Sequence, residues 1–508
     1  MAKQDEPLEL TVRIKDFGPI SRGEIALKPL TILVGPNNSG KSYAAMLLHS
    51  IFDVCCPAHF FGCHPTEMRL KGPEAQWLSL MRWFRWWFRW RLRRPPRRPL
   101  RIDKATEQQL RRGQGVSLPQ ATIKRFIMDL LEQAWERDLG EELERSMGCQ
   151  LHELVSIGRQ AFDVEIRTEQ YATSLRGADK LELMKGTHCR PIEVRIEPTT
   201  AETTELWPFS STSPQIIEFS FSPTLLDRSE GTAALANFLS TRLSQLIFEA
   251  TTRPCYYLPA ARSGILQGYR ALASSIIRRA PLPGVGARET PGLSGVVADF
   301  LSILVSLPHE RGELYHLGRA LEREAMQGEV TLQPREGELP REIRYRYRGA
   351  DIPLHRSSST VSELAPLVLY LKYVVTPGSV LIIEEPEAHL HPANQRIVAK
   401  YLARLVRRGV YVLVTTHSDW LVEQLSSLVK LGSLDKDALE EKFPDLKNAV
   451  LSPSDVGLYV FSYDKRSRGH RIKAIEVDED GIPEDEFLRI HEELYEENIA
   501  IERARERG

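Results

Sequence analysis

Hydrophobic and polar positions follow two different patterns along the chain. Residues 10–20 (LTVRIKDFGPI) alternate between apolar and polar side chains, and residues 23–34 (GEIALKPLTILV) end in an apolar run. Each segment predicts a strand. Residues 44–52 (AAMLLHSIF) predict a helix directly after the second strand. Two continuous apolar runs much later, at 379–384 and 409–416, are typical of buried strands in a parallel sheet.

Between these apolar runs the chain carries further elements of both kinds. Helical spacing of apolar residues runs through 121–147, 232–250 and 292–326. Alternation predicts strands at FDVEIRTE, IEVRIEP and IEFSFSP, and a strand pair at GEVTLQP and EIRYRYRG. No repeat is visible at the periods of solenoid proteins. We therefore expect helices and strands to be mixed.

The composition fits a chain that buries a sizeable core. Of its 508 residues, 42% are hydrophobic and 27% charged, which disfavours global disorder and leaves room for two or three domains. The 67 basic and 68 acidic residues give a net charge of -1. This balance excludes a uniformly basic nucleic-acid-binding protein but not a local basic patch. Because residues 1–10 are polar and no uncharged apolar stretch reaches the ~18 residues of a membrane span, we expect a cytoplasmic protein.

A phosphate-binding loop follows the strand that ends at Val34. The pattern G-x-x-x-x-G-K-S lies between a predicted strand and a predicted helix and comprises Gly35, Pro36, Asn37, Asn38, Ser39, Gly40, Lys41 and Ser42. Gly35 and Gly40 permit backbone angles that let successive N–H groups converge on phosphate, and the helix N-terminus adds a partial positive charge. We expect Lys41 to reach the β- and γ-phosphates of ATP and the Ser42 hydroxyl to bind Mg²⁺.

Two adjacent carboxylates, Glu384 and Glu385, end the first late apolar run, in the segment EEPEAHLHP. Ligands of parallel sheets bind at the carboxyl ends of the strands. Glu384 is therefore predicted to help hold hydrated Mg²⁺, and Glu385 to orient or deprotonate the attacking water. A strand end with two solvated glutamates is the alternative.

Two further segments carry polar residues that suit a nucleotide site. His417 ends the next apolar strand and is predicted to hydrogen-bond a γ-phosphate, although a histidine at a strand end is more often structural. Ser358 and Ser359 precede an apolar helix, with Glu363 further on. This pattern predicts either a simple capping box or a helix end that binds phosphate.

Together these motifs resemble the ATPase heads of ABC type, and among them the SMC and OLD branch of bacterial and archaeal AAA family ATPases of defence and DNA repair. GPNNSGKS, PCYYLPAARSG, the serine-rich segment, EEPEAHLHP and TTHSD carry the resemblance, over about 10–51 and 254–429. It implies a homodimer that sandwiches two ATP molecules. Ser358 and Ser359 of one protomer would then contact the γ-phosphate bound by Lys41 of the other.

Three positions depart from the pattern of that family. Thr360 stands where the signature usually has glycine, and Glu384 replaces the commoner aspartate. The glutamine of the family's Q-loop has only Gln150 and Gln170 as candidates. These departures favour slow ATP hydrolysis.

The two halves of the predicted ATP site are more than 300 residues apart, so the ATPase head is expected to be discontinuous. The predicted fold is α/β, a P-loop NTPase of ABC-ATPase type with a mixed α+β insertion between the phosphate loop and the second half. We divide the chain into a head at 1–54 and 253–430, an insertion at 55–252, and a C-terminal α/β extension at 431–508.

Two other clusters of potential metal ligands do not fit a known site. Asp478 to Gly481 (DEDG) is the sole match to the Asp-x-Asp pair of the Toprim nuclease that some OLD relatives carry. That pattern is foremost a turn, so no Toprim domain is expected. Cys55, Cys56, Cys63 and His64 lie close together but lack paired C-x2-C spacing, which favours buried thiols over a zinc site.

Residues 77–101 (WLSLMRWFRWWFRWRLRRPPRRPLR) combine five tryptophans with nine arginines. In a helix, the tryptophans and Arg82, Arg85 and Arg89 would form separate stripes. Three interpretations stay open: a face packed on the head or on a partner, a nucleic-acid contact through the basic residues of 82–101, and an interfacial membrane helix. The last of these lacks a second anchor.

Three functions follow as hypotheses. The leading one is an ATP-driven molecular switch, a head dimer that senses nucleic acid or a foreign protein and controls a separate effector in defence against phage or foreign DNA. The second is a DNA-repair ATPase that clamps DNA directly. The third, the ATP-binding subunit of a membrane transporter, is disfavoured by the length of the insertion and by the lack of an LSGGQ-type signature, so no membrane partner is expected.

Overall fold

The fold is described from a computed structural model of the chain. The described residues are 8–55, 99–198, 209–213, 216–221, 231–268, 293–308, 310–335 and 338–483. Residues 77–98 of the Trp/Arg-rich segment, together with Cys56, Cys63 and His64, lie outside them.

Two compact units divide the described residues. The head unit takes those of Pro19–His49 and Cys255–Gly508, together with Leu8. The insert unit takes those of Glu9–Gly18 and Ser50–Pro254.

The strands and helices of the described residues are numbered in chain order. The strands are β1 (Leu10–Phe17), β2 (Ile20–Ala26), β3 (Leu30–Val34), β4 (Val116–Ser117), β5 (Phe162–Thr168), β6 (Tyr171–Gly177), β7 (Leu181–Leu183), β8 (His188–Cys189), β9 (Glu193–Pro198), β10 (Phe209–Ser213), β11 (Ile216–Phe221), β12 (Cys255–Leu258), β13 (Glu329–Arg335), β14 (Glu338–Tyr347), β15 (Ala350–Pro353), β16 (Val380–Glu384), β17 (Tyr411–Thr416), β18 (Val456–Asp464) and β19 (Gly469–Ile475). The α-helices are α1 (Lys41–Cys55), α2 (Lys104–Arg111), α3 (Gln120–Glu132), α4 (Leu139–Met147), α5 (Gly231–Ile247), α6 (Gly295–Val305), α7 (Tyr315–Leu321), α8 (Ser359–Tyr373), α9 (Pro392–Val406), α10 (Asp419–Lys430) and α11 (Lys436–Lys442). Two π-helical turns, Gln133–Asp138 and Glu322–Met326, follow α3 and α7.

A parallel sheet forms the centre of the head unit. Its strands lie in the order β12, β16, β17, β3 and β18, and every neighbouring pair is parallel. β3 and β16 are buried at every position, as the continuous apolar runs in the sequence predicted. The helix α9 connects β16 to its parallel neighbour β17, the usual crossover in such a sheet. The predicted α/β fold is therefore confirmed.

The C-terminal segment contributes a strand to this sheet. The sequence predicts a separate extension from residue 431, whereas β18 pairs with β3 from Val456↔Leu30 to Val460↔Val34. Residues 456–461 (VGLYVF) are all buried, the same apolar run that marks the other central strands. The pairing joins residues more than 400 positions apart.

Two local predictions differ from the structure. The two strands expected over 10–34 are three, because the chain turns after Phe17 and again after Ala26. The helix expected over 292–326 is two helices, α6 and α7. Pro308 lies in the break, where it disfavours helical geometry in the residue before it. The strand pair β13 and β14 forms as predicted, with Val330 opposite Tyr345.

The insert unit contains helices and two sets of strands, which pair antiparallel except for the parallel pair of β9 with β11. β1, β5, β6 and β7 lie side by side, and β10, β11, β9 and β4 form a second sheet. β1 belongs here because it pairs with β5 from Leu10↔Thr168 to Lys15↔Asp163. The ring of Trp135, which is fully buried, contacts those of Phe248 and Tyr171. Among the described residues, no helix has the length and apolarity that a membrane crossing requires.

The helix α8 lies in the interior of the head unit and is buried from Val361 to Lys372. Near its C-terminal end, Lys372 Nζ lies 3.2 Å from Glu322 Oε2 and donates a hydrogen bond to Val330 O at 2.8 Å. Both side chains are buried. Burial raises the pKa of Glu322, while the charge of Lys372 opposes that rise. The pair therefore stabilises the fold only while both partners are present.

We expect Lys372→Met to lower the free energy of unfolding by about 2–4 kcal/mol, because the buried Glu322 carboxylate loses its buried cation and keeps Arg319 and the main-chain N of Val330 as partners. Urea unfolding followed by circular dichroism measures the loss. The matched control is Lys447→Met, which breaks the exposed pair with Glu440 and should cost roughly 0–1 kcal/mol. Equal losses in the two variants would contradict the importance of burial.

Candidate functional site

The phosphate loop connects β3 to α1 and depends on glycine at two positions. Gly35 has a φ of 150° and Gly40 a φ of 100°. A Cβ on Gly35 would lie 2.6 Å from the main-chain oxygen of Phe461 in β18, and a Cβ on Gly40 would lie 2.6 Å from Cγ1 of Ile20 in β2. Neighbouring strands therefore exclude any side chain at these positions.

The side chains of the loop divide into exposed and buried groups. Pro36, Asn37 and Asn38 are exposed, and so is Ser42 in the first turn of α1. Ser39 is buried, and its hydroxyl has no hydrogen-bond partner among the described residues. The exposed groups surround the start of α1, where main-chain N–H groups favour an anion.

Lys41 is buried inside its own loop. Its Nζ donates hydrogen bonds to Gly35 O at 2.8 Å and Pro36 O at 2.9 Å. Burial lowers the pKa of Lys41 to about 8, although the carboxylates of the acidic segment, Glu385 foremost, oppose the shift. The ammonium is thus held where a phosphate could replace carbonyl groups as its partner.

The register of three neighbouring strands brings the predicted residues together. In the ladder between β16 and β17, Glu384 lies opposite Thr415, and between β17 and β3, Thr416 lies opposite Val34. The acidic segment, His417 and the phosphate loop therefore begin at the same edge of the sheet. Their sequence separation gives no hint of this proximity.

Glu384 is buried at the end of β16. Its Oε2 accepts a hydrogen bond from Ala260 N at 3.1 Å, while its Oε1 is buried without a hydrogen-bond partner among the described residues. The hydroxyl of Tyr257 is likewise buried without one, and burial and Glu384 both raise the pKa of Tyr257. An unpaired buried carboxylate oxygen is costly, so the donor set at this position fits a hydrated divalent cation.

Glu385 marks a sharp turn of the backbone after β16. Its φ is 43°, a conformation that costs a residue other than glycine on the order of 1–3 kcal/mol. Its main-chain N donates to Thr415 O at 2.9 Å, which ties the turn to β17. The side chain is 42% exposed, and its Oε1 lies 3.9 Å from His417 Nε2.

His417 is partly exposed and neutral near pH 7. Burial and the charge of Lys41 lower its pKa below the ordinary value of 6.5, and Glu385 opposes that shift. Its main-chain N donates to Glu387 Oε1 at 2.8 Å, and the Thr416 hydroxyl donates to the same oxygen at 2.7 Å. Glu387, whose pKa is raised by burial, thus fixes the segment of His417. The sequence assigns it no role, although its place in the EEPE segment was a signal.

Ser358 and Ser359 are exposed at the start of α8. Ser358 is the N-cap of the helix, and its hydroxyl accepts from Val361 N at 3.4 Å. The predicted capping box is wrong, because Val361 occupies the third helical position, where a capping box has its acid. Glu363 turns elsewhere: its Oε1 accepts from the main-chain N and the hydroxyl of Ser263.

Arg262 is a central residue of the site that the sequence did not reveal. It is buried, and its guanidinium contacts Glu363 and the main-chain oxygens of Glu384 and Glu385. Burial lowers its pKa, and the charge of Glu363 is the largest opposing influence. The only signal was its place in PCYYLPAARSG, the segment that follows β12.

The remaining candidates belong to the insert unit or have local roles. Gln150 and Gln170 belong to the insert unit, and Gln150 forms a capping box with Glu153. Asp478 and Gly481 close a turn, as predicted for DEDG. Cys55 is buried, and its Sγ accepts a hydrogen bond from the Thr251 hydroxyl at 3.3 Å.

Comparison with known proteins places an ATPase domain at the centre of the head unit. Residues 315–422 match the family model described as AAA ATPase domain. No curated protein matches the chain.

Solved structures similar to the chain include three SMC heads. One is an SmcHead bound to the C-winged helix domain of ScpA, with 10% identity, coverage of 92% of this chain and 98% of that chain, and a TM-score of 0.40. The Smc head domain with an extended coiled coil bound to the C-terminal domain of ScpA, derived from Pyrococcus furiosus, has 11% identity, coverage of 96% and 100%, and a TM-score of 0.39. The SMC head domain from Thermotoga maritima has 12% identity, coverage of 92% and 100%, and a TM-score of 0.32.

The chain is an ATPase and carries a nucleotide-binding domain. The matched segment contains the start of α8, the acidic strand end and His417. The phosphate loop lies outside the matched segment and joins it through the pairing of β17 with β3.

The predicted role of Lys41 makes nucleotide binding depend on pH. Only the protonated ammonium attracts phosphate, and its pKa in the free protein is about 8. Above that pH a proton must be taken up on binding, so we expect affinity to fall by up to about tenfold per pH unit. Titration with a non-hydrolysable ATP analogue between pH 6.5 and 9.5 at constant ionic strength measures this change.

Lys41→Arg provides the matched control for this titration, because a guanidinium stays charged throughout the range. The variant should give a flat profile above pH 8. An affinity of the unmodified protein that stays constant from pH 7 to 9.5 would contradict the role of Lys41.

Proposed function

We propose that the protein is an ATP-driven molecular switch whose heads close as a homodimer around two ATP molecules. The observation that carries this proposal is the strand register that sets Lys41, the Glu384–Glu385 pair and His417 at one edge of the sheet. A loop of main-chain N–H groups, a cation, two carboxylates and a neutral imidazole are the groups that phosphoryl transfer from ATP requires.

Each residue has a separate task in this proposal. The phosphate loop and Lys41 bind the β- and γ-phosphates. Ser42 and Glu384 hold Mg²⁺, which neutralises phosphate charge when it is bound. Glu385, whose side chain is half-exposed beside His417, orients the attacking water. His417, neutral near pH 7 because of burial and Lys41, donates a hydrogen bond to the γ-phosphate.

The exposed start of α8 supports the dimer. The helix is buried from Val361 onward, so Ser358 and Ser359 are where it can reach a second molecule. Their hydroxyl groups, together with the N–H groups of the first turn, suit the γ-phosphate of a partner's ATP. Thr360 and Glu384, which depart from the family pattern, favour slow hydrolysis and hence a switch with a long-lived closed state.

The motif resemblance supports a role in defence against phage or foreign DNA, in which the closed dimer controls a separate effector protein. Direct clamping of DNA, as in a DNA-repair ATPase, stays a hypothesis from the sequence, because most of its Arg-rich segment, 82–101, lies outside the described residues.

Glu385→Gln should retain ATP binding and lower kcat by at least about 100-fold, because only the carboxylate that orients water is lost. Light scattering after size-exclusion chromatography should show a stable dimer with ATP. Glu479→Gln, a change in an exposed glutamate of the turn at 478–481, is the control and should hydrolyse ATP normally. If Glu384→Gln trapped the dimer and Glu385→Gln turned over normally, the two roles would be exchanged.

A complementation experiment tests whether the serines act on the partner's nucleotide. Lys41→Ala lacks the cation of the phosphate loop, and Ser358→Arg/Ser359→Arg places bulk at the start of α8, so each variant alone should be inactive. A mixed dimer has one site with both parts intact. Random exchange at equal concentrations should therefore restore about a quarter of the normal activity. With exchange shown independently by fluorescence energy transfer, absence of rescue would overturn the arrangement.

A further inference from the structure

Arg262 directs its hydrogen bonds at the main chain of the acidic strand end. Its Nη1 donates to Glu384 O at 2.6 Å and to Pro259 O at 3.1 Å, and its Nη2 donates to Glu385 O at 3.1 Å. The side chain is 2% exposed. One guanidinium thus holds the main chain of both residues, the one proposed to hold the metal and the one proposed to orient water.

The same guanidinium also contacts the first turns of α8. Its Nε donates to Glu363 O at 3.2 Å and lies 3.2 Å from Glu363 Oε2. Glu363 is itself buried, and its other carboxylate oxygen accepts from the Ser263 hydroxyl at 2.6 Å. Glu363 follows Ser358 by five residues on the helix that Ser358 caps. Arg262 therefore bridges the acidic strand end and the segment that carries the two exposed serines.

This arrangement uses properties that only arginine has. A guanidinium offers donors in a fixed plane that can reach several acceptors in different directions, whereas a lysine ammonium is a compact point charge. A buried ion pair is often replaceable by apolar side chains without loss of stability, so stability alone does not require these contacts. The backbone at Glu385, with its φ of 43°, does need to be held by its surroundings.

A second buried ion pair on the same helix provides the comparison. Lys372 and Glu322 are as deeply buried as Arg262 and Glu363. The main-chain partner of Lys372 is Val330 O in β13, not a residue of the acidic strand end. The two pairs differ in what they touch rather than in burial.

We infer that Arg262 is a positioning residue, which fixes the main chain of Glu384 and Glu385 relative to the start of α8. The inference rests on the proposed function, because it assigns to Arg262 the alignment of the water-orienting carboxylate of that same site. Through Glu363, the contact of Ser358 and Ser359 with a partner's nucleotide and the alignment of Glu385 depend on one another.

The first test separates positioning from stability by kinetics. Arg262→Lys keeps the charge next to Glu363 but loses the fork that reaches both carbonyl groups. We expect kcat to fall roughly 10- to 100-fold, since a small misplacement of a catalytic group has effects of that size. The affinity for a non-hydrolysable ATP analogue, which depends on the phosphate loop, should change less than about threefold.

Lys372→Arg is the matched control, because it alters the other buried pair of α8 equally conservatively. Its melting temperature should fall at least as much as that of Arg262→Lys, while its kcat, measured well below that temperature, stays normal. Glu363→Gln, which is isosteric, gives a second variant should Arg262→Lys fold poorly, and its kcat should also fall with little change in ATP-analogue affinity. Normal kcat in the folded Arg262 or Glu363 variant would overturn the inference.

A double-mutant cycle tests the link to the serines. If Arg262 couples the two segments, the effects of Arg262→Lys and of Ser358→Ala/Ser359→Ala on kcat should not be independent. The kcat loss of the combined variant should then be at least about threefold smaller than the product of the two separate losses. The same cycle with Lys372→Arg should be multiplicative. Multiplicative losses with Arg262→Lys would overturn the coupling.

Failure of the proposed dimer is recognised separately, because Glu385→Gln would then stay monomeric with ATP. In that case, a kcat loss in Arg262→Lys at unchanged ATP-analogue affinity would still support positioning within one protomer. A normal kcat in Arg262→Lys would still overturn the positioning role.

Discussion

The parallel pairing of β17 with β3 on one side and with β16 on the other is the interaction on which the nucleotide site depends. Main-chain hydrogen bonds set Glu384 beside Thr415 and Thr416 beside Val34. Because side chains in such strands are buried on both faces, a slip of one residue would exchange the side chains that pack on the two faces. It would also move Glu384 and Thr416 out of register with the end of β3. The edge that carries the phosphate loop, the two glutamates and His417 is therefore fixed by packing far from any ligand.

Buried charged side chains of the head unit, among the described residues, have hydrogen-bond or ion-pair partners. Lys41 donates hydrogen bonds to carbonyl groups of its loop, and Arg262 donates to the main chain of the acidic strand end. Glu387 accepts a hydrogen bond from the main-chain N of His417. Each contact offsets the cost of removing a charge from water. Buried polar atoms without a hydrogen-bond partner among the described residues include Glu384 Oε1 and the Ser39 hydroxyl. Both lie in the segments proposed to meet nucleotide and Mg²⁺.

The residues proposed to touch ligand range from exposed to buried, whereas the residues that orient them are buried. Ser42, Ser358 and Ser359 are exposed, and Glu385 is partly so. Lys41 and Glu384, which would contact phosphate and Mg²⁺, are buried, and so are Arg262 and Glu363, which would orient them. A rigid set of buried charges beneath a more accessible set of polar groups is the arrangement that catalysis by preorganised groups requires.

The sequence by itself determined the parts of the site whose physics is local. The phosphate loop follows from two glycines and a helix start within eight residues, the strands from their apolar runs, and the N-cap from Ser358. Only the tertiary structure decided that β18 pairs with β3, that Glu363 faces Arg262 and Ser263 instead of closing a capping box, and that Arg262 holds the acidic strand end. Backbone angles, caps and apolar periodicity depend on neighbours in the chain. The contact of Arg262 with Glu363 joins residues about one hundred positions apart, and the pairing of β18 with β3 joins residues more than four hundred positions apart. No local pattern specifies which distant partner a strand or a buried charge will find.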